Sequence, residues 1–320
     1  MRAILVREFG APEVLKLEEI PTPQPVAGQV LVRVRATGVN PYDTYMRMGT
    51  YAIKPPLPYT PGGDAAGTIE SVGAGVTSVK PGDRVYTANT LSGAYAEFAV
   101  ALESQVHPLA ERISFAQGAG VWVPYGTAFH ALHHFGDARG GETLLVHGAS
   151  GGVGIAAVQI ARAMGLVVIG SAGTQKGLDL AKLEGAHRVF DHTKSGYQDA
   201  ILQSTGGRGV DIILEMLANV NLGADLKLLA TNGRVVVIGS RGDVPITPRD
   251  LMIRRASVRA FNLWGVTKTE EKEIQAALVA GLENGTMRPV VGKELPLAKA
   301  AQAHKDVMAP GAFGKIVLIP

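Results

Sequence analysis

The chain has 320 residues, 46% of them hydrophobic and 18% charged, with a formal net charge of +3. That length exceeds the roughly 100–200 residues of a single domain, so two domains are expected. The absence of cysteine excludes disulfides, thiolate zinc sites and cysteine nucleophiles, and Lys and Arg spread along the whole chain indicate no dedicated nucleic-acid surface.

The opening MRAILVR alternates as a strand and has neither the long apolar core nor the cleavage site of a secretory leader. No apolar run reaches the roughly 18 residues of a membrane span, which makes a cytoplasmic location the expectation. Up to about residue 122 the chain is β-rich. QVLVRVRA from Gln29 alternates strictly, and GTIESVG from Gly67 and DRVY from Asp83 are short strands between Gly and Pro turns. This pattern predicts a partly open β-barrel over residues 1–122.

From Val123 the rhythm becomes strand then helix. Strands are predicted at Thr143–His147, Leu166–Ser171, Arg188–Phe190, Val210–Glu215 and Arg234–Ser240, which makes a doubly wound parallel α/β sheet over residues 123–264. Phe261–Trp264 reads as a short apolar strand after the basic residues Arg254, Arg255 and Arg259. Residues 265–320 carry a helical pattern over Lys268–Glu283 and a closing apolar strand from Gly314, and are expected to return to the first domain.

Thr143-Leu-Leu-Val-His is a buried-type strand, and Gly148-Ala-Ser-Gly151-Gly-Val-Gly154 follows it at once, opening a helix over Ile155–Met164. Glycines there allow a tight turn, close approach of backbone to pyrophosphate and tight helix-on-strand packing, while the helix N-terminus offers free N–H groups to phosphate. The spacing is GxxGxxG rather than GxGxxG, and the strand–loop–helix context makes it a dinucleotide site. A site for NAD would carry an acid about 20 residues on. The sequence there is Gly170-Ser-Ala-Gly-Thr-Gln-Lys176, with no acid, so Ser171, Thr174 and Lys176 are free to favour a 2′-phosphate and the cofactor expected is NADPH.

HGASGGVG, GSAGTQKG, GAHRVFDH, EMLANVNL and GRVVVIGSRG, in that order, resemble the zeta-crystallin type of NADPH:quinone oxidoreductase, a zinc-independent branch of the medium-chain dehydrogenase/reductase superfamily. The likeness covers nearly the whole chain, including Asn40-Pro-Tyr-Asp-Thr-Tyr45, Tyr59-Thr-Pro-Gly62, Gly82-Asp-Arg-Val85 and Gly314-Lys315. The fold it implies is a Rossmann domain inserted into a GroES-like partly open barrel. Matched residue by residue, it implies cofactor contacts at Ser150, Gly151, Gly152 and Val153 for the pyrophosphate and at Gly173, Lys176 and His192 for the adenosine phosphate. Asn221, Gly239, Ser240, Tyr45 and Lys315 complete the implied set. The residues themselves leave His192 open as a turn cap and Asn221 as an ordinary loop asparagine.

Zinc-dependent relatives hold a Lewis-acid metal with Cys and the His of a Gly-His-Glu motif, whereas the matching stretch here is Gly62-Gly63-Asp64. No metal is expected. His130, His133 and His134 lack the interposed acid of a metal-binding helix and read as surface or capping residues. An acceptor reduced without a metal must be electrophilic by itself, such as a quinone or a conjugated carbonyl. Asn40, Tyr45 and Tyr51 are the candidates for lining its site as catalytic residues. Thr127, read as opening a helix, is a candidate nicotinamide contact or a cap. An enone or alkenal C=C reductase is the alternative activity, and an NADPH-binding protein with a structural or RNA-binding role the alternative of another kind. A homodimer is expected, or a tetramer, through pairing of an edge strand.

Overall fold

Alternating β-branched residues fold the N-terminal third into five strands of a seven-stranded sheet, completed by two strands from the C-terminal end, in a computed structural model that describes residues 1–320. The chain forms two units, one of residues 1–123, 275–309 and 314–320, the other of residues 124–274 and 310–313.

In the first unit the long strand Gln29–Val39 organises the sheet. It pairs antiparallel with Ala65–Val72, with Phe98–Leu102 and with the late strand Lys315–Ile319. Arg84–Thr87 and Val106–Pro108 extend the sheet on one side, and Val291–Pro296 lies parallel to Lys315–Ile319 on the other. A small hairpin, Arg2–Leu5 with Lys16–Glu19, forms a separate ribbon. Val30, Val32, Ile69, Val85, Ala101 and Val106 fill one part of the interior, and Ile4, Val6, Val39, Tyr95, Leu297 and Leu318 another. Each fully buried aliphatic side chain contributes about 1.5–3 kcal/mol relative to exposure.

In the second unit six parallel strands stand in the order Arg188–Asp191, Val167–Ala172, Thr143–Val146, Val210–Glu215, Leu229–Val237, Ser257–Ala260. The chain order reverses between Thr143–Val146 and Val210–Glu215, the switch point where doubly wound sheets bind nucleotides. The two central strands are buried on both faces, as continuous apolar runs require.

Three predicted features are corrected. The edge strand is Ser257–Ala260, not Phe261–Trp264, because the Asn262 side chain accepts from Gly265 N at 2.8 Å and turns the chain into a 3₁₀ segment, Leu263–Gly265. Thr127 is the first residue of the α-helical turn Thr127–His130 but is no cap: the π-helical turn Trp122–Gly126 leads straight into it, Gly126 is already helical (φ −61°, ψ −44°), and Thr127 is buried. His130 is not a surface or cap residue, being only 3% exposed, although the neighbouring His133 is exposed and stacks on Phe129. No helix is long and apolar enough to cross a membrane.

Candidate functional site

The glycine loop is built as its sequence demands. Gly148 has φ +59°, the left-handed region that glycine adopts without strain. Gly151 is the extended residue before the helix Gly152–Ala163, which therefore starts three residues earlier than its apolar pattern suggests. A Cβ on Gly154 would lie 2.2 Å from Gly148 O and 2.7 Å from Ala149 Cα, so this glycine lets the helix close onto the turn. A Cβ on Gly151 would meet nothing nearer than 3.5 Å, which leaves its approach open to a ligand. Ser150 is buried and donates its hydroxyl to Ala312 O at 2.6 Å, so only its backbone is available to a phosphate.

After the strand Val167–Ala172, Gly173 faces His192: a Cβ there would stand 2.8 Å from His192 Nε2. Thr174 caps the helix Gln175–Leu183 by accepting from Gly177 N at 3.1 Å. The Lys176 ammonium sits 3.9 Å over the Phe313 ring, a cation–π contact that holds a surface lysine beside the helix start. Gly173, Lys176 and His192 are thus gathered on one end of the sheet, and no acid stands among Gly170–Lys176. Ser240 is exposed and donates to Gly242 O at 2.9 Å, and a Cβ on Gly239 would press on Met216 O at 2.5 Å.

Asn221 is tied to a cluster that no local pattern announces. Its amide donates to Glu215 Oε1 at 3.2 Å, and Leu217 N donates to the same oxygen. Glu215 and Asp225 are fully buried around His147, whose Nε2 lies 2.9 Å from Asp225 and 3.6 Å from Glu215 and whose Nδ1 meets Ser171 Oγ at 3.1 Å. Burial pushes the Glu215 carboxyl up to about 7, against the pull of His147, and Asp225 to about 6. Burial likewise lowers His147, keeping its imidazole neutral.

In the barrel unit the predicted Asn40 and Lys315 come together, with a partner the sequence reading passed over. Asn40 Nδ2 donates to Asp64 Oδ2 at 3.0 Å, the Lys315 ammonium donates to Asn40 Oδ1, and its Nζ stands 3.4 Å from Asp64. Asp43 accepts from Asn40 N at 2.8 Å and from the Tyr95 hydroxyl at 3.2 Å, and that hydroxyl lies 3.2 Å from His304 Nε2. Burial raises Asp43 to about 7 and raises Asp64, whereas it lowers Lys315. Asn40 and Lys315 are 2% and 5% exposed. Amide and ammonium are thus tied to Asp64 and to each other in this buried network. What they do is fix the start of the helix Pro41–Met48.

Tyr45, half-buried on that helix, accepts through its carbonyl from Thr50 N at 3.0 Å and Tyr51 N at 3.3 Å. The Tyr51 ring is 6.2 Å from Tyr42. These two predicted phenols share one loop-bearing helix end. Asp43, three residues after Asn40, carries the spacing of a helix capping box and was findable on that ground; His304 and Asp64 carried no such signal.

Residues 26–111 match the alcohol dehydrogenase GroES-like domain, and residues 152–280 the family described as zinc-binding dehydrogenase. The chain is 53% identical over 321 residues to the quinone oxidoreductase of Rattus norvegicus, covering 100% of this chain and 98% of that one. Among solved structures it resembles Escherichia coli quinone oxidoreductase complexed with NADPH, at 30% identity and a TM-score of 0.89 over 100% of both chains. It also resembles an NAD-dependent alcohol dehydrogenase at 29% identity and a TM-score of 0.93, again over 100% of both. Sheet order, glycine loop and full-length likeness agree: the chain belongs to the zeta-crystallin type of quinone oxidoreductase within the medium-chain dehydrogenase/reductase superfamily.

Proposed function

We propose that this chain reduces quinones at the expense of NADPH, without zinc. The observation that carries the cofactor is the end of the second Rossmann strand. An NAD site places there a carboxylate that would repel a 2′-phosphate, whereas Gly173, Lys176 and His192 offer space, a cation and an imidazole. The glycine loop fits the pyrophosphate, since Gly148 and Gly154 make the turn and Gly151 leaves its approach open. When bound, NADPH supplies a hydride from nicotinamide C4.

Zinc does not fit the place its relatives use. Cysteine is absent, and a Cβ on Gly63, in the position of the ligand histidine, would stand 2.6 Å from Asn89 Oδ1. The chain's own task is then to hold a flat conjugated acceptor and donate hydrogen bonds to its developing oxyanion. Tyr45 and Tyr51 are assigned that contact, with Asn40, Asp43 and Asp64 as positioning residues behind them. The RNA-binding reading loses its support, because Arg254 donates to Leu229 O and Lys227 O, and Arg259 to Phe135 O. The single-neighbour strand Ser257–Ala260 supports a homodimer by edge pairing, which sedimentation would test.

The test is oxidation of NADPH and of NADH, followed at the nicotinamide absorbance, with a 1,4-quinone and an alkenal as acceptors in excess chelator. NADPH-selective quinone turnover that survives chelation is expected. Alkenal-only turnover moves the chain to the enone reductases, and tight NADPH binding without turnover to a binding role. Replacing Gly151 by Leu should abolish NADPH fluorescence titration while leaving thermal unfolding of the chain intact, because its φ of −82° and open surroundings accept a side chain that the pyrophosphate does not.

A further inference from the structure

We propose that His130, His134 and Glu270 form a binding site for a single divalent transition-metal ion of the zinc class, with water completing its coordination. The site lies within the Rossmann unit, uses none of the residues assigned to cofactor or acceptor, and is distinct from the zinc positions of the metal-dependent relatives. One donor atom from each of the three residues lies within 4.8 Å of the others.

The two histidines stand four residues apart on the helical run, one above the other on one face, with ring centroids 4.9 Å apart. The acid that a metal-binding helix would carry between its histidines comes instead from the first turn of the later helix Lys268–Asn284. Glu270 Oε1 is 3.9 Å from His134 Nδ1, and Glu273 Oε2 is 3.5 Å from His134 Nε2.

The surroundings are those of a prepared ligand set. Glu270 Oε2 is already held by Thr267, whose N donates at 2.8 Å and whose hydroxyl donates at 2.7 Å, leaving Oε1 for an ion. Such an outer contact orients a ligating carboxylate. The His130 ring is packed edge-on against Phe135 and Phe261, at 5.1 and 4.8 Å, which fixes its plane. His130 Nδ1 and His134 Nε2 are enclosed without a hydrogen-bond partner, a state that buried nitrogens rarely keep. Zinc bonds of about 2.0–2.2 Å require donors roughly 3.3 Å apart, so closing the set needs small rotations of the Glu270 and His134 side chains. Two imidazoles with carboxylate oxygens select zinc, cobalt, nickel or copper over calcium or magnesium.

The role is structural: the ion joins the start of the helix Lys268–Asn284 to the histidine-bearing run. The test is calorimetric titration of the chelator-treated full chain with zinc chloride alone, and with cobalt chloride read by its visible absorption, alongside thermal unfolding with and without the ion. One ion per chain is expected, with a tetrahedral cobalt spectrum and a higher Tm; chelation should lower Tm and leave quinone turnover unchanged. His134→Gln and Glu270→Gln should each weaken binding at least about tenfold and lose the metal-dependent rise in Tm. Glu273→Gln, an exposed change beside the other nitrogen of His134, should leave binding within about twofold and serves as the control. Absence of stoichiometric binding in the unmodified chain, or binding unchanged in His134→Gln, overturns the proposal. Binding lost in Glu215→Gln but kept in His134→Gln would place the ion at His147, Glu215 and Asp225 and overturn it equally.

Discussion

Each unit of the molecule buries two carboxylates, and each answers that cost with a different base. In the barrel unit Asp43 and Asp64 lie with Lys315, whose ammonium burial disfavours and the neighbouring carboxylates favour. In the Rossmann unit Glu215 and Asp225 lie around His147, an imidazole that burial keeps neutral. A lysine compensates charge with charge, so the barrel cluster depends on its partner being present. A neutral histidine leaves the carboxylates to share protons, so the Rossmann cluster depends on pH as a whole, whereas in the barrel it is Asp43, raised to about 7 by burial, that titrates while Asp64 relies on the lysine.

The largest break in this contrast is Lys315→Met. Leaving buried Asp64 without its cation should cost about 3–5 kcal/mol of stability at pH 8, read as a lower Tm or denaturant midpoint. The double variant Lys315→Met, Asp64→Asn should recover most of it. Full stability of the single variant would show that Asp64 is protonated and the ammonium dispensable.

The Rossmann cluster should instead reveal itself by titration. The Glu215 carboxyl is raised from 4.5 to about 7, so the native state binds its proton more tightly than the unfolded chain. The stabilisation is therefore complete below about pH 4.5 and is lost as pH rises through about 7, at up to about 1.4 kcal/mol per pH unit for one proton. Glu215→Gln should make the decline in unfolding free energy between pH 5 and pH 8 shallower by its one-proton share, leaving the part that Asp43 and Asp225 contribute. A decline of the same slope in both proteins would exclude Glu215 as its source.

Smaller effects separate the ligand contacts of the two units. Lys176→Ala should weaken NADPH binding roughly tenfold, about 1.4 kcal/mol, and leave NADH binding unchanged. Equal losses for both nucleotides would move the lysine away from the 2′-phosphate. Tyr45→Phe should lower quinone kcat only several-fold, under about 1.4 kcal/mol, since the phenol orients and donates without an obligatory proton transfer. Complete loss of turnover with unchanged NADPH affinity would show that role to be too weak.

The same contrast explains what a reader of the sequence can and cannot see. The strand Val210–Glu215 was predicted to the residue and the glycine loop with its helix to within three, because period, turn chemistry and burial are all local there. Gly173 and Lys176 were nominated on the same local ground, and their contact with NADPH is a proposal. Asp64 was quoted as the residue standing where relatives have an acid, yet its partner Lys315 lies 251 residues away, and His147 meets Asp225 across 78. Pairings over such distances depend on which strands become neighbours, and no window of sequence carries that. Asn40 and Lys315 were therefore named without their work being understood. His130 was misplaced for a related reason, since its burial comes from Phe135 and from Phe261, 131 residues on.

The strand Lys315–Ile319 lies between Gln29–Val39 and Val291–Pro296 and follows the whole Rossmann segment in the chain. During synthesis the barrel sheet is therefore left with an open edge at Thr37–Val39 while the ribosome makes more than 270 further residues. The Rossmann sheet, whose six strands are complete by residue 260, has every neighbour in hand much sooner. A nascent chain of this design carries its vulnerable edge on the part made first, so chaperone protection should matter more for the barrel than for the nucleotide-binding unit.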